Sequence, residues 1–198
     1  MSSPQARQPG SLQGLGGEDR LSGLGGADQL WGGDGDDRVM GGAGNDSLYG
    51  ELGADWLKGG GGADWLFGGA GDDLLKGNGG NDTLEGGIGA DRLKGGGGAD
   101  RLLGFDGDDR LDGGKGRDSF TGGDGADVFI FENGHGRDVI RDFTSETDQL
   151  DFSGIRGLDY EDLEILRRGA DTLILTGAGQ IRLEDLRPSE LSVDDFIF

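Results

Sequence analysis

The chain has 198 residues, enough for one ordinary domain or for a repeat array with a cap. Glycine supplies 47 of them, against an average usage of about 7%, and 39 acids oppose 18 bases to leave a formal charge of -21. Three prolines and no glycine at every third residue exclude collagen, the lack of cysteine excludes disulfides and thiolate metal sites, and the charge makes nucleic acid a poor partner.

Residues 1–13, MSSPQARQPGSLQ, read as a flexible leader. They lack the basic region and apolar stretch of a secretory signal, and no run in the chain approaches the roughly 18 apolar residues of a membrane span. Export, if it occurs, must use another address.

From Gly14 to Ile130 a unit of nine residues runs without a gap through thirteen copies. With each copy numbered from its first residue, positions 1 (Gly14 to Gly122) and 4 (Gly17 to Gly125) are always glycine. Position 8 is always apolar: Leu21, Leu30, Val39, then leucine until Phe120 and Phe129. Position 6 is aspartate in every copy: Asp19, Asp28, Asp37, Asp46, Asp55, Asp64, Asp73, Asp82, Asp91, Asp100, Asp109, Asp118 and Asp127.

One inward apolar residue between two outward neighbours is the alternation of a short strand, so positions 7 to 9 are expected to be strand. The glycines let positions 1 to 6 turn tightly and leave carbonyls pointing one way. One strand and one turn reverse the chain. Two units therefore make a coil of 18 residues, and like turns stack in parallel about 4.8 Å apart. The expected fold is all-β: a parallel β-roll, a two-sheet solenoid with a β-rich C-terminal cap.

Carboxylates stacked at that spacing repel, and no lysine recurs in the turns to neutralise them. A cation between them removes the repulsion. A cage of carboxylate and carbonyl oxygens, without nitrogen or sulfur, selects calcium over zinc or magnesium. Seven odd-numbered turns leave six gaps and six even-numbered turns leave five, so up to eleven Ca2+ ions fit, carrying +22 against the chain's -21.

The unit G-G-x-G-x-D-x-U-x resembles the calcium-binding nonapeptide of repeats-in-toxin (RTX) proteins over Gly14–Ile130. The resemblance implies a β-roll in which the position-6 aspartates and turn carbonyls of stacked loops hold each ion. Carried over, the ligands are the thirteen aspartates named above. Position 2 departs from glycine at Leu15, Leu24, Glu51, Asn78 and Phe105, and those turns are expected to differ from the rest.

Past Ile130 the beat breaks. Residues 131–198 read as the cap, whose strands are expected from VFIF, which starts just before it, DVIRDF, DQLDF, DTLILT, QIRLEDL and DFIF. The string GADVFIFENGHGRDVIRDFTSETDQLDFSGI, with the terminal DDFIF, resembles the cap of serralysin-type proteases, alginate epimerases and related secreted RTX proteins. That resemblance implies an uncleaved signal for a type I secretion apparatus and an extracellular location. Asp138, Asp142, Asp148 and Asp151 are either a further calcium site at the junction or simply solvated.

No catalytic residue is expected. The one histidine, His135, lies in a degenerate glycine-rich repeat and reads as structural or solvated, and carboxylates repeated thirteen times describe a scaffold. Neither HExxH nor a nucleophile elbow is present. The two outward faces differ. The odd copies carry Arg20, Arg38, Lys58, Lys76, Arg92, Lys94 and Arg110, and the even copies stack Trp31, Tyr49 and Phe67 with Trp65 beside them. The cations either cover the sheet and discourage aggregation or form a stripe for an anionic polymer. The rings suit a sugar or a partner surface equally. The sequence thus points to a secreted calcium-binding module that folds on calcium after type I export. The alternatives are a calcium-dependent module for an alginate-like anionic polysaccharide, or the C-terminal part of a secreted protease, lipase or epimerase.

Overall fold

The computed structural model describes residues 10–198. Strands β1 (Ser11–Gly16), β2 (Arg20–Gly25) and β3 (Gln29–Asp34) open a nine-residue rhythm that holds to β13 (Ser119–Asp124) and β14 (Val128–Glu132). Each strand pairs in parallel with the next but one: Leu12 lies opposite Leu30, Leu30 opposite Leu48, and Leu21 opposite Val39. Odd-numbered and even-numbered strands therefore build two sheets, and one coil of the solenoid takes 18 residues. The expected leader lies mostly outside the described residues. Its last three, Ser11 to Gln13, are not leader but strand, paired with Gln29 to Trp31.

The strands are longer than the expected three residues. Most run from position 7 through position 9 and on through positions 1 to 3 of the next copy, as in Trp56–Gly61. The ladder survives the bend at position 2 because every coil bends at the same place: Gly60 stays opposite Asn78 and Gly61 opposite Gly79. Position 4 supplies the sharper turn. Gly62 sits at φ +128, and a Cβ there would stand 2.2 Å from the Gly44 carbonyl oxygen of the preceding coil. At position 2 the non-glycine residues Leu15, Leu24, Glu51, Asn78 and Phe105 adopt the same hand, at φ +71 to +82.

Two columns fill the interior. One is the apolar column of position 8, from Leu21 to Phe129, at 0–1% exposure throughout. The other is made by the position-6 aspartates, which run as two ladders beside it. The roll ends in a larger aromatic core, where Phe120 meets Phe129 and Phe131 edge-on at 5.9 Å and Phe131 packs on Phe152 at 5.6 Å.

Regular pairing passes beyond Ile130. Strand β15 (Gly136–Ile140) adds to β13, and β16 (Gln149–Gly154) adds to β14. The antiparallel run β17 (Glu164–Arg168), β18 (Asp171–Leu175) and β19 (Gly179–Leu183) then joins one sheet through β15, and β20 (Phe196–Ile197) closes the other through β16. Of these, β17 has no counterpart among the segments expected from sequence. No helix among the described residues is long and apolar enough to cross a membrane.

Candidate metal centre

The thirteen aspartates form two ladders, one along each edge of the roll. In each ladder the N–H of one aspartate donates to Oδ1 of the aspartate one coil on: Asp19 to Asp37, Asp28 to Asp46, and so on to Asp109 and Asp127, at 2.7–3.0 Å. This bond holds each carboxylate from Asp37 to Asp127 by its Oδ1. The second oxygen, Oδ2, is buried without a hydrogen-bond partner in Asp28, Asp37, Asp46, Asp55, Asp64, Asp73, Asp82, Asp91, Asp100, Asp109, Asp118 and Asp127. A buried carboxylate oxygen left unpaired costs free energy, so a whole column of them demands a counter-charge.

The invariant glycine at position 1 has its reason here. A Cβ on Gly59 would stand 2.3 Å from Asp64 Oδ2, and the same distance recurs between Gly68 and Asp73. That glycine keeps space beside the carboxylate, and its backbone is not left-handed.

In the eleven position-6 aspartates from Asp37 to Asp127 burial raises the carboxyl group above its ordinary range, the N–H bond from the preceding aspartate opposes the rise, and in most of them neighbouring carboxylates add to it. Asp73, Asp109 and Asp118 are pushed up to about 7, and Asp55, Asp64, Asp82, Asp91 and Asp127 to about 6. Asp37, Asp46 and Asp100 rise as well. Without a cation, these carboxyl groups take up protons at a higher pH than free ones do.

Among the described residues no three His, Asp or Glu side chains converge on one point. Carboxylates alone therefore do not make a cage, and backbone oxygens must complete it. The turns offer them. Carbonyl oxygens at positions 2 and 4 face the next turn: a Cβ on Gly60 would lie 1.9 Å from Gly42 O, and one on Gly80 would lie 1.7 Å from Gly62 O. The donor set is all oxygen and anionic, which fits calcium.

Position 5 contributes a part that sequence reasoning missed. Asp36, Asn45, Asp72, Asn81 and Asp108 accept, through Oδ1, the N–H of Ala54, Ala63, Ala90, Ala99 and Ala126 one coil on, at 2.8–2.9 Å. The signal was present as a second period: aspartate returns every 36 residues at 36, 72 and 108, and asparagine at 45 and 81.

The junction carboxylates do not assemble a further site. Asp142 accepts from Gly122 N and Gly123 N, and Asp151 from Ser153 and from Arg110 at 3.3 Å. Asp138 and Asp148 extend the ladders by accepting the N–H groups of Asp118 and Asp127. Both oxygens of each carboxylate have protein partners, with Asp142 still part-exposed.

On the outer surface, Arg20 lies opposite Arg38, Lys58 opposite Lys76, and Arg92 opposite Arg110. Two of the seven cations are engaged elsewhere. Lys94 pairs with Asp112 and reaches Glu132 at 4.0 Å, and Arg110 pairs with Asp151. Trp56 also interrupts the arginine row between Arg38 and Leu74. On the opposite sheet Trp31 and Tyr49 stack at 5.4 Å and 7°, and Tyr49 meets Phe67 and Trp65 at 6.5 Å.

Among solved structures, the chain is similar to the extracellular lipase LipA from Serratia marcescens, with 20% identity over 91% of this chain and a TM-score of 0.40. It spans 42% of that lipase's length. It is also similar to the AlgE6R2 subunit of the Azotobacter vinelandii mannuronan C5-epimerase, at 30% identity over 65% of this chain and 88% of that one, with a TM-score of 0.40. The AlgE6R3 subunit of the same epimerase aligns at 24% identity over 84% of this chain and 80% of its own, with a TM-score of 0.28. No curated protein sequence matches. The family model of the RTX calcium-binding nonapeptide repeat, in four copies, matches residues 13–48, 40–75, 49–84, 76–104 and 103–138. Because those segments together take in residues 13–138, 126 of the 198, and coincide with the turns that carry both aspartate ladders, the chain belongs to the RTX calcium-binding nonapeptide repeat family.

Proposed function

We propose that this chain is a calcium-dependent folding module: disordered by its own charge in a low-calcium cytosol, exported by a type I apparatus through its C-terminal cap, and folded outside by ion binding. The observation that carries the reading is the column of twelve buried aspartates, each with Oδ2 lacking a partner. Bound calcium would supply positive charge to these oxygens and to the turn carbonyls. The chain's own part is to hold each carboxylate by its Oδ1 bond, to clear space with the position-1 glycine, and to exclude water with the leucine column. Binding energy then appears as folding energy. Up to eleven gaps between stacked turns are available to ions.

Circular dichroism should show cooperative β-structure forming between about micromolar and millimolar calcium. A folded spectrum in excess chelator at neutral pH would refute the reading.

A second reading has an observation of its own. Lys58 and Lys76 stand in register on neighbouring strands, beside the Arg20–Arg38 pair, on a face whose adjoining turns calcium would neutralise. Such a stripe suits an anionic polysaccharide. Glutamate at both Lys58 and Lys76 should then abolish retention on an alginate column in calcium. Unchanged retention would leave the lysines as sheet cover.

A further inference from the structure

Both aspartate ladders run one rung past the regular repeats, and there the second carboxylate oxygen changes partner. Asp138 Oδ1 accepts Asp118 N–H at 3.0 Å, and Asp148 Oδ1 accepts Asp127 N–H at 3.1 Å, as in every rung before. Their Oδ2 atoms are not orphans. Asp148 Oδ2 accepts Thr144 N–H at 2.8 Å, and Asp138 Oδ2 faces His135 Nδ1 at 2.6 Å.

The Asp118–Asp138 gap otherwise resembles the others. Gly136 takes the place of position 4, lies opposite Gly116 at φ +108, and would put a Cβ 1.8 Å from Gly116 O. The exchange is at position 3. Elsewhere that position points outward, as in Leu52 and Ile88, at 55% and 62% exposure, but His135 is turned inward and is 2% exposed. Asn133 stands where the position-1 glycine would be.

The imidazole is held at both ends. A carboxylate only accepts, so the nitrogen facing Asp138, Nδ1, carries the proton. At the other end Nε2 lies 3.0 Å from Thr176 Oγ1, which also receives the N–H groups of Ala178 and Gly179 at 3.2 and 3.0 Å. The hydroxyl proton has two acceptors in reach, Nε2 at 3.0 Å and Gly179 O at 3.4 Å, and the shorter contact is to Nε2. The order Thr–His–Asp is that of a hydrolytic triad, but Thr176 is 5% exposed and its oxygen is already taken by two backbone donors. The group is a lock between β15 and the loop before β19.

We propose that His135 is a protein-borne substitute for the cation at the end of this ladder, its Nδ1–H satisfying the Asp138 oxygen that an ion satisfies on earlier rungs. The inference rests on the calcium reading of those rungs. It places the last ion of this ladder between Asp100 and Asp118 and makes the final gap independent of calcium.

The single histidine makes the test direct. In calcium-saturated wild-type protein, long-range nitrogen–proton NMR should show one imidazole in the Nδ1–H form with a slowly exchanging proton. Native mass spectrometry should find one more calcium ion on His135→Ala than on wild type, and the wild-type number on His135→Asn, which keeps a donor. Loss of the Nδ1 proton at calcium saturation, or equal ion counts for His135→Ala and wild type, would overturn the proposal. Should His135→Ala not fold, the wild-type signal decides. A roll that folds without calcium would instead remove the calcium reading itself, so the two failures are told apart.

Discussion

Three consecutive glycines on one turn, Gly59, Gly60 and Gly61, should respond to alanine in three different ways. At Gly59 the backbone accepts alanine, but the new Cβ would stand 2.3 Å from Asp64 Oδ2 and 2.9 Å from both Asp64 Cβ and Cγ. The carboxylate cannot swing clear without losing its bond to Asp46 N–H at 2.9 Å. Overpacking plus that bond sets a cost of about 2–4 kcal/mol. At Gly60 a Cβ would stand 1.9 Å from Gly42 O at φ +129, so alanine must shift toward the φ of +71 to +82 that Leu15, Leu24, Glu51, Asn78 and Phe105 adopt at this position, a left-handed conformation that costs about 1–3 kcal/mol. At Gly61 nothing lies within 4 Å, and alanine should be neutral or stabilise by about 0.4–1 kcal/mol through the unfolded chain. Urea unfolding at saturating calcium, followed by circular dichroism, reads all three. Gly59→Ala should lower the midpoint by about 1–2 M at an unchanged slope. If Gly59→Ala unfolds with Gly61→Ala, the carboxylate beside position 1 is not held as described.

The metal-free chain should respond to acid in the opposite sense to most proteins. Asp73, Asp109 and Asp118 have folded-state values near 7 against 3.8 for a free carboxyl, so their contribution favours folding at low pH and is lost as pH rises from about 4 to about 7. In chelator, β-structure should therefore be greater at pH 5 than at pH 8, and a stability that is flat or rises with pH would contradict the buried ladder. Leu66→Ala, in the fully buried column, should cost about 2–5 kcal/mol at saturating calcium. Asn45→Ala removes only an exposed cap on Ala63 N–H and should cost about 0.5–1 kcal/mol. Equal losses in chemical denaturation would mean that the turn caps, not the column, hold the coils together.

Much of the roll was legible because its neighbours are set by a fixed spacing. Once Leu30 and Leu48 are known to stack, every parallel pair from β1 to β14 follows by adding 18, and so do the aspartate ladders as far as Asp127 and the Trp31–Tyr49 stack. The strand length was not legible, because positions 1 to 3 are mostly glycine and carry no alternation to read. The position-5 caps escaped because alanine alternates with aspartate or asparagine there, which hides them within a nine-residue period. Lys94 and Arg110 looked like members of a basic stripe until the fold brought Asp112, Glu132 and Asp151 to them.

By itself the sequence determined the coil, its apolar column and which carboxylates stack, since a parallel in-register ladder turns periodicity directly into contact. Only the tertiary structure decided what each carboxylate oxygen does: Oδ1 bound to the rung before, Oδ2 left bare on twelve aspartates and filled on Asp138 and Asp148. The reason is distance along the chain. His135 and Thr176 meet across 41 residues through an antiparallel cap, where no repeat fixes the register and packing alone selects the partner.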